Sequence, residues 1–280
     1  MRFRGIFSIF VAVLFSGFPM HAGDSAAEAM SQVVKVRGAN TTATIVNGWA
    51  NAFSEANPSS RAVVSGGGTT AAFESLFDKG CQLVMATRSI NEKELQAAAL
   101  SGSKPASVEV CRECLAIITH PDNPVNALTL EQLRGIFTGD LTGWQEVGGP
   151  NEPILVITGD QTSGAALLLR HAVMEDGYFT GDARTKEFYT DIVRDVSRSK
   201  PRAISYAGLT DAKKAEQGKL IKILGLRKNQ DSQPVLPDIE SLRNGGYPLV
   251  MSLSLYWDEL SPVAATRQFV EFCKKQCPTR

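Results

Sequence analysis

Three stretches of the chain share one order of features: a short apolar run, a loop rich in Gly, Ser and Thr, and then apolar residues at helical spacing. The loops lie at residues 38–42, 65–70 and 159–164. This order predicts strand, loop and helix, and its repetition predicts an α/β fold. Because the first backbone N–H groups of a helix have no partner within the helix, each loop stands where an anion is attracted.

Helix capping alone also explains one such loop, because Ser and Thr are ordinary residues at helix starts. Two of the three loops contain no charged residue. Together the loops favour a site of hydroxyls and backbone N–H groups, since open α/β sheets bind ligands at the carboxyl ends of their strands. A further strand at 83–86 ends at Thr87-Arg88, where a guanidinium is placed to bind an oxyanion; an ordinary surface arginine is the alternative.

Size and charge narrow the classes of partner. The 280 residues suffice for two medium-sized domains. The 29 basic residues equal the 29 acidic ones, so no basic surplus points to nucleic acid or to an anionic membrane surface. We therefore expect no nucleic-acid partner, and an anion would be held by local geometry. We also expect no cofactor and no metal.

The N-terminal residues 1–22 have the features of a secretory signal peptide. Arg2 and Arg4 precede an apolar stretch at 6–18, and Ala22 ends a sequence typical of a cleavage site. The apolar stretch is short for a membrane span. We therefore expect a soluble, exported protein in the periplasm, cleaved near Ala22.

Five cysteines remain in the mature chain, and an exported protein resides where thiols oxidise. Cys111 and Cys114 form a C-x-x-C that leads into a strand, which argues against a thioredoxin-like redox motif. Cys273 and Cys277 form a second close pair. We expect local disulfides within these pairs, with Cys81 buried and free; zinc binding by the two pairs is a weaker alternative.

The middle of the chain indicates where a second domain begins. A Gly/Ser/Pro stretch at 101–105 predicts a linker, and an apolar strand at 115–119 follows. Trp144 is expected to pack in a core rather than to stack on a ligand. Residues 184–198 predict a charged helical region, and residues 213–222 predict a basic surface segment.

Residues 123–149 read NPVNALTLEQLRGIFTGDLTGWQEVGG. This segment resembles the hallmark segment of the periplasmic phosphate-binding proteins of ABC importers. In that family Asn-Pro, a short spacer and Leu-Thr precede a helix ending Ile-Phe-x-Gly, and Trp and Gly-Gly follow. The similarity covers essentially all of the mature chain, continuing through residues 38–42, 65–70, 87–88, 162–164, 204–209 and 247–256.

The resemblance implies a type II periplasmic-binding-protein fold, in which two α/β lobes joined by crossing hinge strands close over a small ligand. Lobe 1 is expected at 23–110 plus 245–280, and lobe 2 at 111–244. The implied function is capture of inorganic phosphate or a similar tetrahedral oxyanion for delivery to an ABC permease in the inner membrane. We expect a monomer and no enzymatic activity.

The family's ligand contacts carry over position by position to Thr41, Thr42, Ser65, Gly67, Gly68, Thr69, Thr70, Arg88, Thr162, Ser163 and Gly164. The chain also departs from the family pattern. Gly159 and Ala165 stand where the third loop usually has Arg and Thr. Many relatives have either Asp or Arg at the position of Arg88, so this chain lacks the acceptor that an Asp there would provide. Selection of phosphate over sulfate needs a hydrogen-bond acceptor, for which Asp160 is the candidate.

Two other functions fit parts of the sequence. The missing Arg and Thr are compatible with a scaffold or adhesion protein that keeps the fold without tight anion binding. A serine hydrolase is less favoured, because Gly159 and Gly164 do not frame Ser163 as the G-x-S-x-G of a nucleophile elbow. His120 and His171 are the histidines available as bases after signal cleavage.

Overall fold

The computed structural model describes residues 33–261 and 263–277. The predicted signal peptide at 1–22, with its cleavage site, lies outside these residues. The strands are β1 (Val33–Gly38), β2 (Arg61–Ser65), β3 (Leu83–Ala86), β4 (Pro105–Thr119), β5 (Ala127–Thr129), β6 (Leu155–Thr158), β7 (Arg184–Thr185), β8 (Ala203–Gly208), β9 (Lys222–Arg227) and β10 (Val250–Asp258).

Helices alternate with these strands. They are α1 (Ala43–Ala56), α2 (Thr69–Phe77), α3 (Glu92–Leu100), α4 (Leu130–Thr138), α5 (Gly164–Ala172), α6 (Tyr189–Arg198), α7 (Leu209–Gln217), α8 (Ile239–Arg243) and α9 (Ala264–Gln276). The α/β class expected from the sequence is confirmed. Within the described ranges, no helix combines the length and the apolar character that a bilayer crossing requires.

The strands form one curled sheet in the order β2-β1-β3-β10-β4-β8-β6-β7, with β9 paired to β4 and β5 paired to β9. β1 is parallel to both β2 and β3, and β6 is parallel to β8. The carboxyl ends of parallel neighbours lie at the same edge of a sheet, so the loops after β1, β2 and β3 come together. The loop after β6 lies beside the end of β8 for the same reason.

β4 and β10 join the two halves of the molecule. Residues 105–114 of β4 pair antiparallel with β10, and residues 115–119 pair with β8 and β9. The sequence predicted a linker to residue 105 and a strand only from 115, which is wrong, because one strand runs from 105 to 119. Its first half exposes alternate residues and therefore lacks the continuous apolar run that identified 115–119.

The buried core divides at these crossing strands. On one side, helices α1 and α9 cover β1 and β3 with Phe53 and Phe269 at the centre. On the other, Phe137 and Trp144 pack against the second half of β4. Trp144 is fully buried and donates from Nε1 to the carbonyl of Arg202 at 2.8 Å, which confirms its predicted packing role. The molecule therefore has two lobes; the boundaries 23–110, 111–244 and 245–280 stay predictions.

Two polar segments differ from their predicted form. In the region 184–198, helix α6 begins only at Tyr189, and Arg184–Thr185 forms β7. In the region 213–222, α7 continues to Gln217, and Lys222 begins a strand whose next residues are buried. The short apolar run after Lys222 is covered on both faces, so its burial depends on distant partners that local composition does not reveal.

The disulfide pairing also differs from the prediction. Cys111 bonds Cys277 across 166 residues, with their Cα atoms 5.4 Å apart. Cys114 and Cys273 are buried free thiols, and Cys81 is buried and free as expected. The local pair Cys111–Cys114 is excluded by the strand itself, since residues three apart on a strand are separated by about 10 Å, beyond the reach of a disulfide.

The long-range disulfide is expected to stabilise the fold by restricting the unfolded chain. Cys111→Ser should lower the free energy of unfolding by about 2–5 kcal/mol, measured by urea denaturation of the oxidised protein. Reductant should produce a similar loss in the unsubstituted protein and no further loss in the Cys111→Ser/Cys277→Ser protein. A denaturation midpoint that reductant leaves unchanged in the unsubstituted protein would contradict this role.

Candidate functional site

A small cavity lies between the two lobes, where the carboxyl ends of their strands face each other. Lobe 1 contributes residues from the segments 39–41 and 68–69, and lobe 2 contributes residues from 159–163, 187–192 and 206–207. The cavity volume is about 40 Å³. This exceeds the roughly 10–15 Å³ that one ordered water needs, so the space between the lobes is narrow but can hold a small polar ligand.

Four of the ligand contacts carried over from the family line this cavity: Thr41, Gly68, Thr69 and Ser163. They come from all three Gly/Ser/Thr loops, so the structure brings together one loop end from each repeated unit. Gly68 precedes α2, and Ser163 precedes α5. Both helices therefore direct their N-terminal ends at the lobe junction, where the partial positive charge of a helix start favours an anion.

Ser163 is also a helix cap. Its Oγ accepts a hydrogen bond from the backbone N–H of Ala166 at 3.2 Å. Gly164, the next predicted residue, is buried against lobe 1 and does not line the cavity. A β-carbon built on Gly164 would lie 2.2 Å from Oγ1 of Thr87, so the absence of a side chain lets the two lobes approach here.

The remaining predicted residues of loops 1 and 2 bond within lobe 1. Thr42 is buried, with its hydroxyl 3.5 Å from the carbonyl of Ala39, and the Ser65 hydroxyl donates to the carbonyl of Val36 at 3.4 Å. The Gly67 N–H donates to the side chain of Asn40 at 2.9 Å. These groups shape the loops and lie outside the cavity lining.

In the third loop, Thr162 donates from Oγ1 to both carboxylate oxygens of Asp160 at 2.9 Å. The Thr162 N–H donates to the same carboxylate. Thr162 therefore holds the Asp160 side chain in place, and Asp160 itself lines the cavity. A β-carbon built on Gly68 would lie 3.7 Å from Asp160 Oδ2, so this carboxylate faces the opposite lobe.

Arg88 lies beside the cavity rather than in its lining. Its guanidinium forms an ion pair with Glu94 at 2.6 Å, and the two side chains are 11% and 7% exposed. The same guanidinium donates to the hydroxyl of Thr70 at 3.0 Å and to the carbonyl of Ser89. Arg88 and Thr70 thus brace the start of α2, from which Thr69 enters the cavity.

Three hydroxyls at the cavity stand out because they are buried and have no hydrogen-bond partner within residues 33–261 and 263–277: those of Thr41, Thr69 and Tyr189. We call them the cavity hydroxyls. Burying a hydroxyl without a partner costs on the order of 1–3 kcal/mol. Three such groups, contributed by both lobes around one small cavity, indicate a site whose hydrogen bonds are completed by a polar ligand.

Two phenols belong to the cavity wall, and both stay protonated at neutral pH. Burial raises the pKa of Tyr206 to about 12, and burial together with the nearby Asp211 carboxylate raises the pKa of Tyr189. The Tyr206 hydroxyl bonds Thr158 at 2.8 Å and accepts from the Gly159 N–H. Tyr189 therefore remains a neutral hydrogen-bond donor at the cavity.

The sequence did not identify Asn40, Glu187, Tyr189 or Tyr206 as site residues. Asn40 belongs to the GANTT segment that predicted the first loop, and Tyr206 follows the apolar strand residues of β8. Glu187 and Tyr189 lie at the start of α6, within a polar region that has no Gly/Ser/Thr signature. Their approach to the cavity depends on the packing of α6 against β6 and β8.

The arrangement favours binding over bond cleavage. Ser163 has a capping role, and the two histidines lie elsewhere: His171 is 83% exposed beside Asp176, and His120 lies beside Asp122. Within the described chain, no group of three or more His, Cys, Asp and Glu residues is placed to hold a metal ion. Among the described residues that line the cavity, none carries a basic side chain.

This chain is similar in sequence to proteins of a known family. A family model described as a PBP superfamily domain matches residues 24–274. Protein SphX of Synechococcus elongatus is 28% identical over 269 residues, which is 93% of this chain and 77% of that protein. The phosphate-binding protein PstS of Pseudomonas aeruginosa is 26% identical over 232 residues, covering 78% of this chain and 70% of that protein.

Solved structures share the fold. An ABC-type phosphate transport receptor from Vibrio cholerae superposes with a TM-score of 0.64 at 21% identity, covering 87% of this chain and 94% of that one. PfluDING, a high-affinity periplasmic phosphate-binding protein solved with bound phosphate, gives 0.71 at 15% identity, covering 85% and 84%. The expected two-lobed type II periplasmic-binding-protein fold is thereby confirmed.

The cavity hydroxyls should lower the stability of the ligand-free protein, because each is buried without a partner among the described residues. Thr69→Val, which removes one of these hydroxyls, should therefore raise the free energy of unfolding by up to about 1–3 kcal/mol. Thr119→Val is the matched control, because the buried Thr119 hydroxyl donates to the carbonyl of Ala203 at 2.7 Å.

The control variant should lose about 1–3 kcal/mol, since its substitution leaves a buried carbonyl without that donor. Urea denaturation of both variants in phosphate-free buffer measures the difference. Equal losses in the two variants would show that the Thr69 hydroxyl already has a hydrogen-bond partner in the protein. That result would contradict the interpretation that a ligand completes its hydrogen bonds.

Proposed function

We propose, because the chain belongs to the PBP superfamily, that it is an exported solute-binding protein that captures inorganic phosphate or a similar tetrahedral oxyanion. This family membership confirms the resemblance from which the function was predicted. We place the protein in the periplasm, where it acts as a monomer and passes its ligand to an ABC permease in the inner membrane. The observation that carries the proposal is the group of cavity hydroxyls.

The cavity suits an oxyanion because its polar groups are mostly donors. Thr41 and Thr69 from lobe 1 and Tyr189 from lobe 2 offer hydroxyl protons on two sides of the same space. Two helix starts, at Gly68 and at Ser163, add backbone N–H groups and partial positive charge. Each oxygen of a tetrahedral anion thereby exchanges water for a protein donor, and no bond need break.

Ligand entry requires the lobes to separate. The cavity is walled by both lobes, so an anion reaches it only when the lobes move apart. The crossing strands β4 and β10 are the elements shared by both lobes, so we assign the opening motion to them. The anion would then displace water from the open cleft before the lobes close over it.

Phosphate titration by isothermal calorimetry tests the proposal. The mature protein should bind phosphate, and Thr41→Val should weaken the affinity by about tenfold, since one hydrogen bond to a charged acceptor contributes about 1.5 kcal/mol. The matched control is Thr142→Val, which makes the same substitution at an exposed threonine outside the cavity lining. The control should leave the affinity unchanged.

The alternative function has a distinct outcome in the same titration. A scaffold or adhesion protein that has lost tight binding would give no heat with phosphate, sulfate, molybdate or arsenate. That result would contradict the proposal, and the Gly159 and Ala165 departures would then explain the loss. Hydrolysis is not proposed, because Ser163 caps α5 and the histidines lie away from it.

Asp160 gives the site a means to choose among anions. Its carboxylate lines the cavity and can accept a hydrogen bond from a protonated phosphate oxygen, whereas sulfate at neutral pH has no proton to donate and is repelled. Asp160→Asn should therefore lower the ratio of phosphate to sulfate affinity by about tenfold or more. Competition calorimetry measures the ratio; an unchanged ratio would show that Asp160 does not contact the ligand.

A further inference from the structure

Asn40 makes two hydrogen bonds that join three segments of the molecule. Its Oδ1 accepts from the N–H of Gly67 at 2.9 Å, within lobe 1. Its Nδ2 donates to the carbonyl oxygen of Glu187 at 3.0 Å, across the cleft in lobe 2. One partner is a donor and the other an acceptor, so the amide has one favoured orientation. A reversed amide would place Nδ2 against the Gly67 N–H and Oδ1 against the Glu187 carbonyl.

Both hydrogen-bond partners of Asn40 belong to segments that are anchored to helices or strands. The N–H of Lys186, the residue before Glu187, donates to the carbonyl of Thr158 on β6 at 2.8 Å, and the Lys186 side chain pairs with Asp195 of α6 at 2.7 Å. At the lobe 1 end, Gly67 lies shortly before the start of α2. The bridge therefore links the first two ligand loops directly to the sheet of lobe 2.

We propose that the Asn40 amide is an inter-lobe latch that forms on closure and sets how long the ligand stays in the cleft. The inference rests on the proposed function and extends it to a positioning residue outside the predicted ligand contacts. The bond joins protein to protein, so it stabilises the closed state whether or not an anion is bound. Its loss should raise the rate of ligand release more than it changes the rate of binding.

Gly66 offers a way to displace the latch without changing Asn40. A β-carbon built on Gly66 would lie 2.0 Å from Asn40 Oδ1, so Gly66→Ala forces the amide out of its position. Asn40→Ala removes the amide altogether. Asn51→Ala, an exposed asparagine on α1, is the matched control because it makes the same substitution away from the cleft.

Stopped-flow measurement of phosphate release tests the latch. Asn40→Ala and Gly66→Ala should each raise the release rate about two- to tenfold, the range expected for one neutral hydrogen bond, while Asn51→Ala leaves it unchanged. In the ligand-free state, small-angle X-ray scattering should give both latch variants a larger radius of gyration than the control. Release rates equal to that of the control would overturn the latch while leaving phosphate binding intact.

Different results would contradict the proposed function and the Asn40 latch. If the unsubstituted protein binds no anion, the proposed function fails, and the latch is judged on ligand-free scattering alone. A larger radius of gyration in both latch variants then supports it, and a radius equal to the control's overturns it. Urea denaturation accompanies each measurement, and an Asn40→Asp variant, which keeps an acceptor for the Gly67 N–H and loses the donor to Glu187, replaces any variant that fails to fold.

Discussion

The antiparallel pairing of β4 with β10 is the constraint on which the rest of the structure depends. These strands run through both lobes, so the lobes share one curled sheet instead of being joined by a free linker. The carboxyl ends of β1, β2 and β3 consequently face the ends of β6 and β8. The groups assigned to the site lie on loops, helix starts and strand ends that this shared sheet holds within reach of the opposite lobe.

The cavity hydroxyls show how binding and stability oppose each other at this junction. Each buried hydroxyl costs on the order of 1–3 kcal/mol when no partner completes it, which is a large fraction of the roughly 5–15 kcal/mol that stabilises a typical domain. A protein selected for stability alone would replace Thr41 and Thr69 with apolar residues of the same shape. Hydroxyls at these positions are explained if an anion supplies the acceptors, since the donors are then already placed when it arrives.

The sequence predicted those elements whose conformation depends mainly on neighbouring residues. Strand β3 and the starts of the helices after the Gly/Ser/Thr loops follow from apolar runs and capping residues. The first half of β4 and the strand at Lys222 were missed, because their burial comes from distant partners. The Cys111–Cys277 bond was missed for the same reason, since only the fold brings those residues together.

The site, too, could be predicted from the sequence only in part. Glycine, serine and threonine at strand ends predicted where the loops converge, because helix starts and strand ends are local features. The orientation of each side chain was not predictable: Thr70 turns to Arg88, Thr162 turns to Asp160, and Thr41 faces the cavity. Tyr189 enters the cavity from a helix without any ligand signature, since its position is set by the packing of α6.

A crystal structure of the mature protein grown with phosphate would show whether hydroxyls from both lobes enclose a tetrahedral anion. We expect tetrahedral density between the lobes, with oxygens about 2.6–3.0 Å from the hydroxyls of Thr41, Thr69 and Tyr189. Density elsewhere, or a closed cleft in which these hydroxyls bond other protein groups and exclude phosphate, would contradict this expectation.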